Sequence, residues 1–441
     1  MKGRNEALLH APIVPTLVRL SAPGLLLVAF QSMVAITDTY FIGRLGTAPL
    51  AGLALVFPLV MLLQMTSAGA MGGGVSAAIS RALGAGDARA ARRLVVHALV
   101  IAAAMGLAFT VFVLVLGPGI YRLLGGEGES LRAALHYSNV LFAGAIVVWM
   151  ANTLSSVLRG SGNMVLPAAT LVAAALVHVP LSASLVLGLG PFPRLGIAGA
   201  GVAYITAFGF AAALMAAVVF RRTGPLRPHA EDWVLEARLF RDILRVGALS
   251  SVNALQTVFT AVVLTGYVGR FGAAALAGYG VGLRLELLQI PIVFAIGQAL
   301  VVLIGTNLGA GHPERARRIA WAGAALAAWV SLLIGVAVSI FPLAWVSLFS
   351  SDPEVLLSGA RYLQTVAPTY PFLAAGIALY FASQGAGSVL WPFLAGSVRL
   401  AIVLIAGMAV ASLPAVFVII AVATAAYGTL TIWFVARSRW H

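Results

Sequence analysis

Twelve apolar runs, each longer than 20 residues, follow one another along almost the whole chain, at about 14–43, 50–83, 91–117, 131–159, 164–188, 197–220, 242–268, 275–308, 315–343, 355–384, 389–411 and 413–436. About 20 apolar residues cross a hydrocarbon core as a helix. In lipid, every backbone N–H and C=O must be satisfied inside its own segment or a closed barrel, so runs of this length read as α-helices. Several are longer than an upright span requires, which predicts tilting or protrusion. Of the 441 residues, 61% are hydrophobic and 9% charged, against roughly 25% charged in a soluble domain. Such a chain would aggregate in water. With no cysteine it has neither disulfides nor thiolate metal sites.

The net charge of +14 suggests nucleic acid at first sight, but the basic residues sit between the apolar runs and not on one face. With the N-terminus placed inside, 18 of the 27 Lys and Arg residues fall in inside segments. Six fall outside: Arg44, Arg122, Arg132, Arg194, Arg270 and Arg361. This asymmetry predicts a multi-pass protein of the cell (inner) membrane with both termini cytoplasmic. The opening "MKGRNEALLHAPIVPTL" reads as a cytoplasmic tail, since no short apolar core with a cleavage site follows it.

The longest polar stretch, 221–245, divides six runs from six. Trp233, Ala237, Phe240 and Leu244 share one helical face there, which predicts a short helix lying in the cytoplasmic interface. The expected organisation is an N-lobe over 1–220, a linker over 221–241 and a C-lobe over 242–441. The halves repeat. "GRLGTAPLAG" (43–52) matches "GRFGAAALAG" (269–278) at an offset of 226, and "ALGAGDARAARR" (82–93) matches "NLGAGHPERARR" (307–318) at 225. "GSGNMVLP" (160–167) matches "GAGSVLWP" (385–392), also at 225. A constant offset marks a duplication. Parallel repeats of this kind hold substrate between them near the bilayer midplane. The predicted fold is therefore an all-α polytopic membrane protein with 12 transmembrane helices in two pseudo-symmetric six-helix lobes.

A first helix ending in Asp and then "GRLG", "LAG", a long helix closing on "LGAGD" and a basic "RAARR" resembles the multidrug and toxic compound extrusion (MATE) transporters. The stretch "RLELLQIPIVFAIGQALVVLIGTNLGAG" (284–311) is similar to the eighth helix of that family. The resemblance covers nearly the whole chain. It implies a V-shaped pair of lobes and export of organic, often cationic, compounds in exchange for H⁺ or Na⁺.

Thirteen acids occur, and only Asp38 and Glu286 lie well within apolar runs. A carboxylate in hydrocarbon costs at least a few kcal/mol, which makes both functional candidates. Gln31 shares the Asp38 face, seven residues earlier. Burial favours the protonated form of a carboxyl, so Asp38 is a candidate proton carrier; ionised, it is a candidate Na⁺ ligand. A structural Asp that caps the helix or pairs with Arg44 is the alternative. At the repeat offset the equivalent position is Leu264, so the second half has no matching acid. By resemblance, Asp38 matches the cation-coupling acid of the family's first helix. Many prokaryotic members add an Asn and an Asp four residues apart on the fifth helix. Aligned on Gly188, the stretch "LVHVPLSASLVLG" (176–188) has His178 and Ser182 there. The second acid is missing, and a histidine that shares a proton with Asp38 tilts the expectation toward H⁺; a packing histidine is the alternative. Asn152 and Thr153 on the fourth helix and Tyr204 and Thr206 on the sixth are candidates to complete this pocket.

Glu286 shares a face with Tyr279, Gly282 and Gln289. It either faces the central cleft and attracts cationic compounds or ties its helix to a neighbour. The acids of the family's sodium-coupled branch on helices seven and ten have no counterpart here. Pro23, earlier on the Asp38 helix, is a hinge by resemblance and a static kink otherwise. The Gly-rich "GAMGGGVSAAISRALGAG" (69–86) lacks the Lys of a phosphate loop and reads as close helix packing. The expected partners are small organic molecules and the bilayer, with no nucleic acid, no metal, no cofactor beyond the coupling ion, and a monomeric chain. Rival readings are a lipid-intermediate flippase of the same superfamily, a twelve-span major-facilitator carrier and a membrane-embedded enzyme. Scattered histidines and the absence of a cluster of acids argue against the enzyme.

Overall fold

The computed structural model describes residues 2–222, 224–438 and 440, with only the backbone described for Lys2–Asn5 and Leu287. Arg439 and the side chains of Lys2 and Arg4, counted above among the inside charges, lie outside the described residues. No strand occurs among the described residues. The helices of the first half are α1 (Lys2–His10), α2 (Ile13–Gly43), α3 (Thr47–Gln64), α4 (Gly72–Gly84), α5 (Ala88–Leu123), α6 (Gly128–Ala143), α7 (Ala145–Gly160), α8 (Val165–Leu187) and α9 (Ile197–Val219). A π-helix, Met65–Met71, joins α3 to α4. The second half has α10 (Ala237–Gly269), α11 (Ala273–Gly309), α12 (Pro313–Ile340), α13 (Pro342–Val346), α14 (Pro353–Val366), α15 (Tyr370–Gly385), α16 (Leu390–Met408) and α17 (Leu413–Arg437). A 3₁₀ turn, Ala367–Thr369, joins α14 to α15.

Among the described residues, eleven helical segments are long and apolar enough to cross a membrane, and α6 with α7 makes a twelfth, bent by 50°. The run expected at 131–159 is this bent pair. Its break falls at Gly144, where a Cβ would lie 2.5 Å from Ile205. Ile36, Val115, Ile405 and Met408 are each about two-thirds exposed or more. Apolar surface on this scale is stable only against lipid, and the chain is a multi-pass membrane protein.

The chain divides into two compact units. Unit 1 comprises Met1–Arg4 and Ala22–Gly247; unit 2 comprises Asn5–Ser21 and Ala248–His441. These limits differ from the lobes drawn on sequence, because the changeovers after Ser21 and Gly247 fall within α2 and α10, the first long helix of each repeat. The chain changes unit after Arg4, after Ser21 and after Gly247, and the last two positions are separated by the offset of the repeat itself. Unit 1 packs around Trp149, Phe142, Tyr121 and Leu63, and unit 2 around Tyr362, Phe417 and Tyr370, all essentially inaccessible.

The interfacial helix expected in the linker does not form. A single 3₁₀ turn, Ala230–Trp233, is closed by His229 and Asp232, and α10 starts only at Ala237. The cause is tertiary. Arg92 Nε donates to Asp232 Oδ2 at 2.8 Å, Arg93 bonds Glu236, and the Glu236 amide donates to His97 Nε2 at 2.8 Å. Arg81 pairs with Asp242 at 2.8 Å. Phe240 packs edge-on against His97 while Trp233 stays exposed, so the expected apolar face is split. Burial pushes the Asp232 carboxyl up, but the His229 amide and the Arg92 guanidinium outweigh it and hold it below its usual range. In unit 2 the matching motif holds the N-terminal segment: Asn307 Nδ2 donates to Leu8 O at 3.2 Å, and Arg315 donates to Ala11 O.

Candidate functional site

Asp38 lies one and a half turns before the end of α2, and α2 runs unbroken through Pro23. Its side chain is buried, 7% exposed overall. A buried carboxylate must be paired or hydrogen-bonded, and α8 supplies both needs. Ser182 Oγ donates to Asp38 Oδ1 at 2.6 Å. His178 Nε2 lies 3.0 and 2.9 Å from Oδ1 and Oδ2, within hydrogen-bond reach of both oxygens. Four residues apart on α8, His178 and Ser182 share a face, and both are buried. The pairing with Arg44 is not seen; that guanidinium stacks 5.5 Å from the Tyr40 ring.

From this pair a polar chain runs into unit 1. The Tyr204 ring meets His178 edge-on at 6.2 Å. Gln64 Nε2 donates to the Tyr204 hydroxyl. Asn152 Nδ2 donates to Gln64 Oε1 at 3.0 Å and to Ser67 Oγ at 2.8 Å. Tyr137 of α6 is buried within reach of the Asp38 charge. Thr153 is buried without joining the chain. Two further candidates are exposed and do not join it either. Gln31 is exposed, two turns from Asp38 on the same face. Thr206 is exposed and bonds its own helix at Val202 O, because two residues on a helix point about 200° apart. Sequence reasoning missed Gln64, Ser67 and Tyr137, since uncharged polar side chains in an apolar run carry no distinctive signal.

Unit 2 encloses the other acid. Glu286 accepts from the Tyr362 hydroxyl, Tyr279 packs edge-on to Tyr362 at 5.3 Å, and Arg399 acts on Glu286 electrostatically. Gln289 is buried, and its Oε1 has no hydrogen-bond partner among the described residues. The copy of the Asp38 site is apolar. Leu264 and Val403 stand for Asp38 and His178, both buried, and Gly407 stands for Ser182. A Cβ at Gly407 would lie 2.0 Å from the Tyr267 ring, which fills the space. Among the described residues no group of three or more His, Cys, Asp or Glu side chains is placed to hold a metal ion.

Two repeated halves, with a buried hydrogen-bonded acid in one and an apolar copy of its site in the other, describe a polytopic membrane protein built by duplication. Comparison with known proteins agrees. The MatE family profile matches residues 23–183 and 249–410, and the chain belongs to this family. It is 28% identical to the FAD transporter of Shewanella oneidensis over 87% of this chain and 84% of that one. It is 25% identical to a probable multidrug resistance protein, NorM, of Thermotoga maritima over 86% and 81%. Its fold matches a MOP superfamily transporter from Pyrococcus furiosus with a TM-score of 0.89, 22% identity and coverage of 99% and 97%. The chain is a membrane transporter and not an enzyme.

Proposed function

We propose that the chain is a secondary active antiporter that exports organic, often cationic, drugs or metabolites in exchange for H⁺ by alternating access. The observation that carries this reading is the buried Asp38 carboxyl, held by His178 and Ser182. A buried carboxyl that touches both an imidazole and a hydroxyl is a site where a proton can be held away from water. H⁺ is favoured over Na⁺ because His178 Nε2 covers both carboxylate oxygens, the hard ligands Na⁺ needs. The protein acts as a monomer in the cell (inner) membrane, with both termini cytoplasmic. Glu286, bonded to Tyr362 with Tyr279 and Gln289 buried on its face, is the acid of unit 2 that draws cationic substrates, and Pro23 serves as the hinge of α2.

The test is transport in vesicles with imposed pH or Na⁺ gradients, using ethidium as the cationic probe. Export follows the pH gradient and ignores the Na⁺ gradient, and Asp38→Asn reduces it to the level of empty vesicles. Export by Asp38→Asn at the wild-type rate, or dependence on Na⁺ alone, overturns the assignment. A flavin dinucleotide is a second cargo, favoured by the FAD transporter among the relatives; FAD in the same vesicles decides between the two.

A further inference from the structure

The π-helix of unit 1 is the feature that the coupling pair does not explain. A π turn takes an extra residue and loosens the backbone bonding, and such turns concentrate at functional sites. Here one face of α7 clips it. Asn152, Ser156 and Arg159 lie on that face at spacings of four and three residues. Asn152 bonds Gln64, just before the π-helix, and Ser67 within it. Arg159, a cation in the last turn of α7, reaches the π-helix carbonyl of Ala68 at 3.4 Å and Ser156 Oγ at 2.7 Å. The two elements touch at Gly72, where a Cβ would lie 2.5 Å from Ser156 Oγ and 3.0 Å from Ser67 O. In the sequence alone Arg159 reads merely as a loop charge.

The second repeat is an internal control. At the repeat offset the stretch 290–296 stands for the π-helix, and there α11 is an uninterrupted α-helix. Gln289 stands for Gln64, Ile377 for Asn152, Phe381 for Ser156 and Gln384 for Arg159. Gly297 keeps the close approach, with a Cβ 2.2 Å from the Phe381 ring. Both repeats therefore keep the helix crossing. Among the described residues, only the repeat that carries Asp38 has the π turn and the side chains that clip it.

We propose that the π-helix is the coupling element of this transporter, positioned by Arg159 and Asn152 and informed of the Asp38–His178 proton through Tyr204 and Gln64. This rests on the reading of Asp38 as the coupling acid. The titratable groups that face Asp38 are His178 from α8, Tyr204 from α9 and Tyr137 from α6. Conversion of the π turn to α changes the residue count of one turn. That turns α3 about 100° relative to α4 and shifts it about 1.5 Å, which is a large output for one proton. Arg159 is a positioning residue, since its bonds to Ala68 O and Ser156 Oγ hold the π-helix against α7.

The chain has no cysteine, so one thiol can be read alone. A Cβ at Gly69 meets nothing within 4 Å, so Gly69→Cys reports on the π-helix without crowding it. Maleimide labelling of this variant in vesicles is compared at about pH 6 and about pH 8, either side of an ordinary histidine. The same variant with Asp38→Asn cancels the ionisation of the thiol itself. The ratio of the two labelling rates changes severalfold between the two pH values. Arg159→Gln abolishes that change and lowers proton-driven export about tenfold or more, while Arg159→Lys, which keeps a donor, preserves both. A ratio that is constant with pH, or one that Arg159→Gln leaves intact, overturns the proposal even when Asp38→Asn abolishes export. Export that survives Asp38→Asn overturns the coupling-acid reading and this proposal together. If Arg159→Gln fails to fold, the Gly69→Cys ratio alone decides.

Discussion

His178 stands where the family resemblance leads one to expect an asparagine, and this one residue changes the chemistry of the acid. An asparagine can only donate and accept hydrogen bonds, whereas an imidazole can also take a proton. Sequence made Asp38 visible because charge inside an apolar run is costly, and the alignment on Gly188 brought His178 and Ser182 beside it. Gln31 misleads for a physical reason. Periodicity fixes the face of a helix but not which level along it another element reaches. The unit 2 acid depends on a glycine. A Cβ at Gly282 would lie 2.2 Å from Tyr362 Cδ1, and the Tyr362 ring is buried with nowhere to move. Gly282→Ala is expected to destabilise the protein by about 1–3 kcal/mol and to pull Tyr362 off Glu286. A lower thermal midpoint in detergent checks this; an unchanged midpoint contradicts it.

Among the elements, some irregularities are repeated and some are not. The break at Gly144 between α6 and α7 has a helix irregularity at the repeat offset, the 3₁₀ turn ending at Thr369, although only the first is sharply bent. A repeated break belongs to the fold, while the unrepeated π-helix needs another explanation. Neither could be read from the sequence, because both lie inside continuous apolar runs. The linker failed for the opposite reason. Its helical pattern is real, but side chains of α5 take the groups that a helix would use for itself. The Asp232 carboxyl is held low, so its contribution to linker stability is complete above the ordinary carboxylate range. It is lost as the pH falls through the lowered value. Limited proteolysis at the linker is expected to stay slow down to about pH 4, the ordinary carboxylate value, and to speed up below it. Asp232→Asn, which removes the ionisable partner of Arg92, is expected to be cleaved faster at neutral pH as well. Equal rates for both proteins would count against the clamp.

At the level of the whole molecule, duplication was legible and its detail was not. Three matched motifs at nearly one offset marked two halves of six spans, but their boundary follows contacts that no motif announces. The lead-in residues Asn5–Ser21 belong with unit 2, and the linker through Gly247 belongs with unit 1. A cut at residue 221 therefore leaves neither fragment with a whole unit. The two fragments made separately are expected to aggregate, and made together to co-purify and regain export. A fragment 1–221 that melts cooperatively by itself would contradict this.

The coincidence of the two changeovers with the repeat offset also bears on origin. Two copies of one chain that trade an arm form a closed swapped dimer, a low-cost route to a partner. Here Asn5–Ser21 of the first half belong to unit 2 and the linker through Gly247 belongs to unit 1, with their ends at equivalent positions. Gene fusion of such a dimer would yield this connectivity without any rearrangement, and would then free one half to lose its acid while the other kept it.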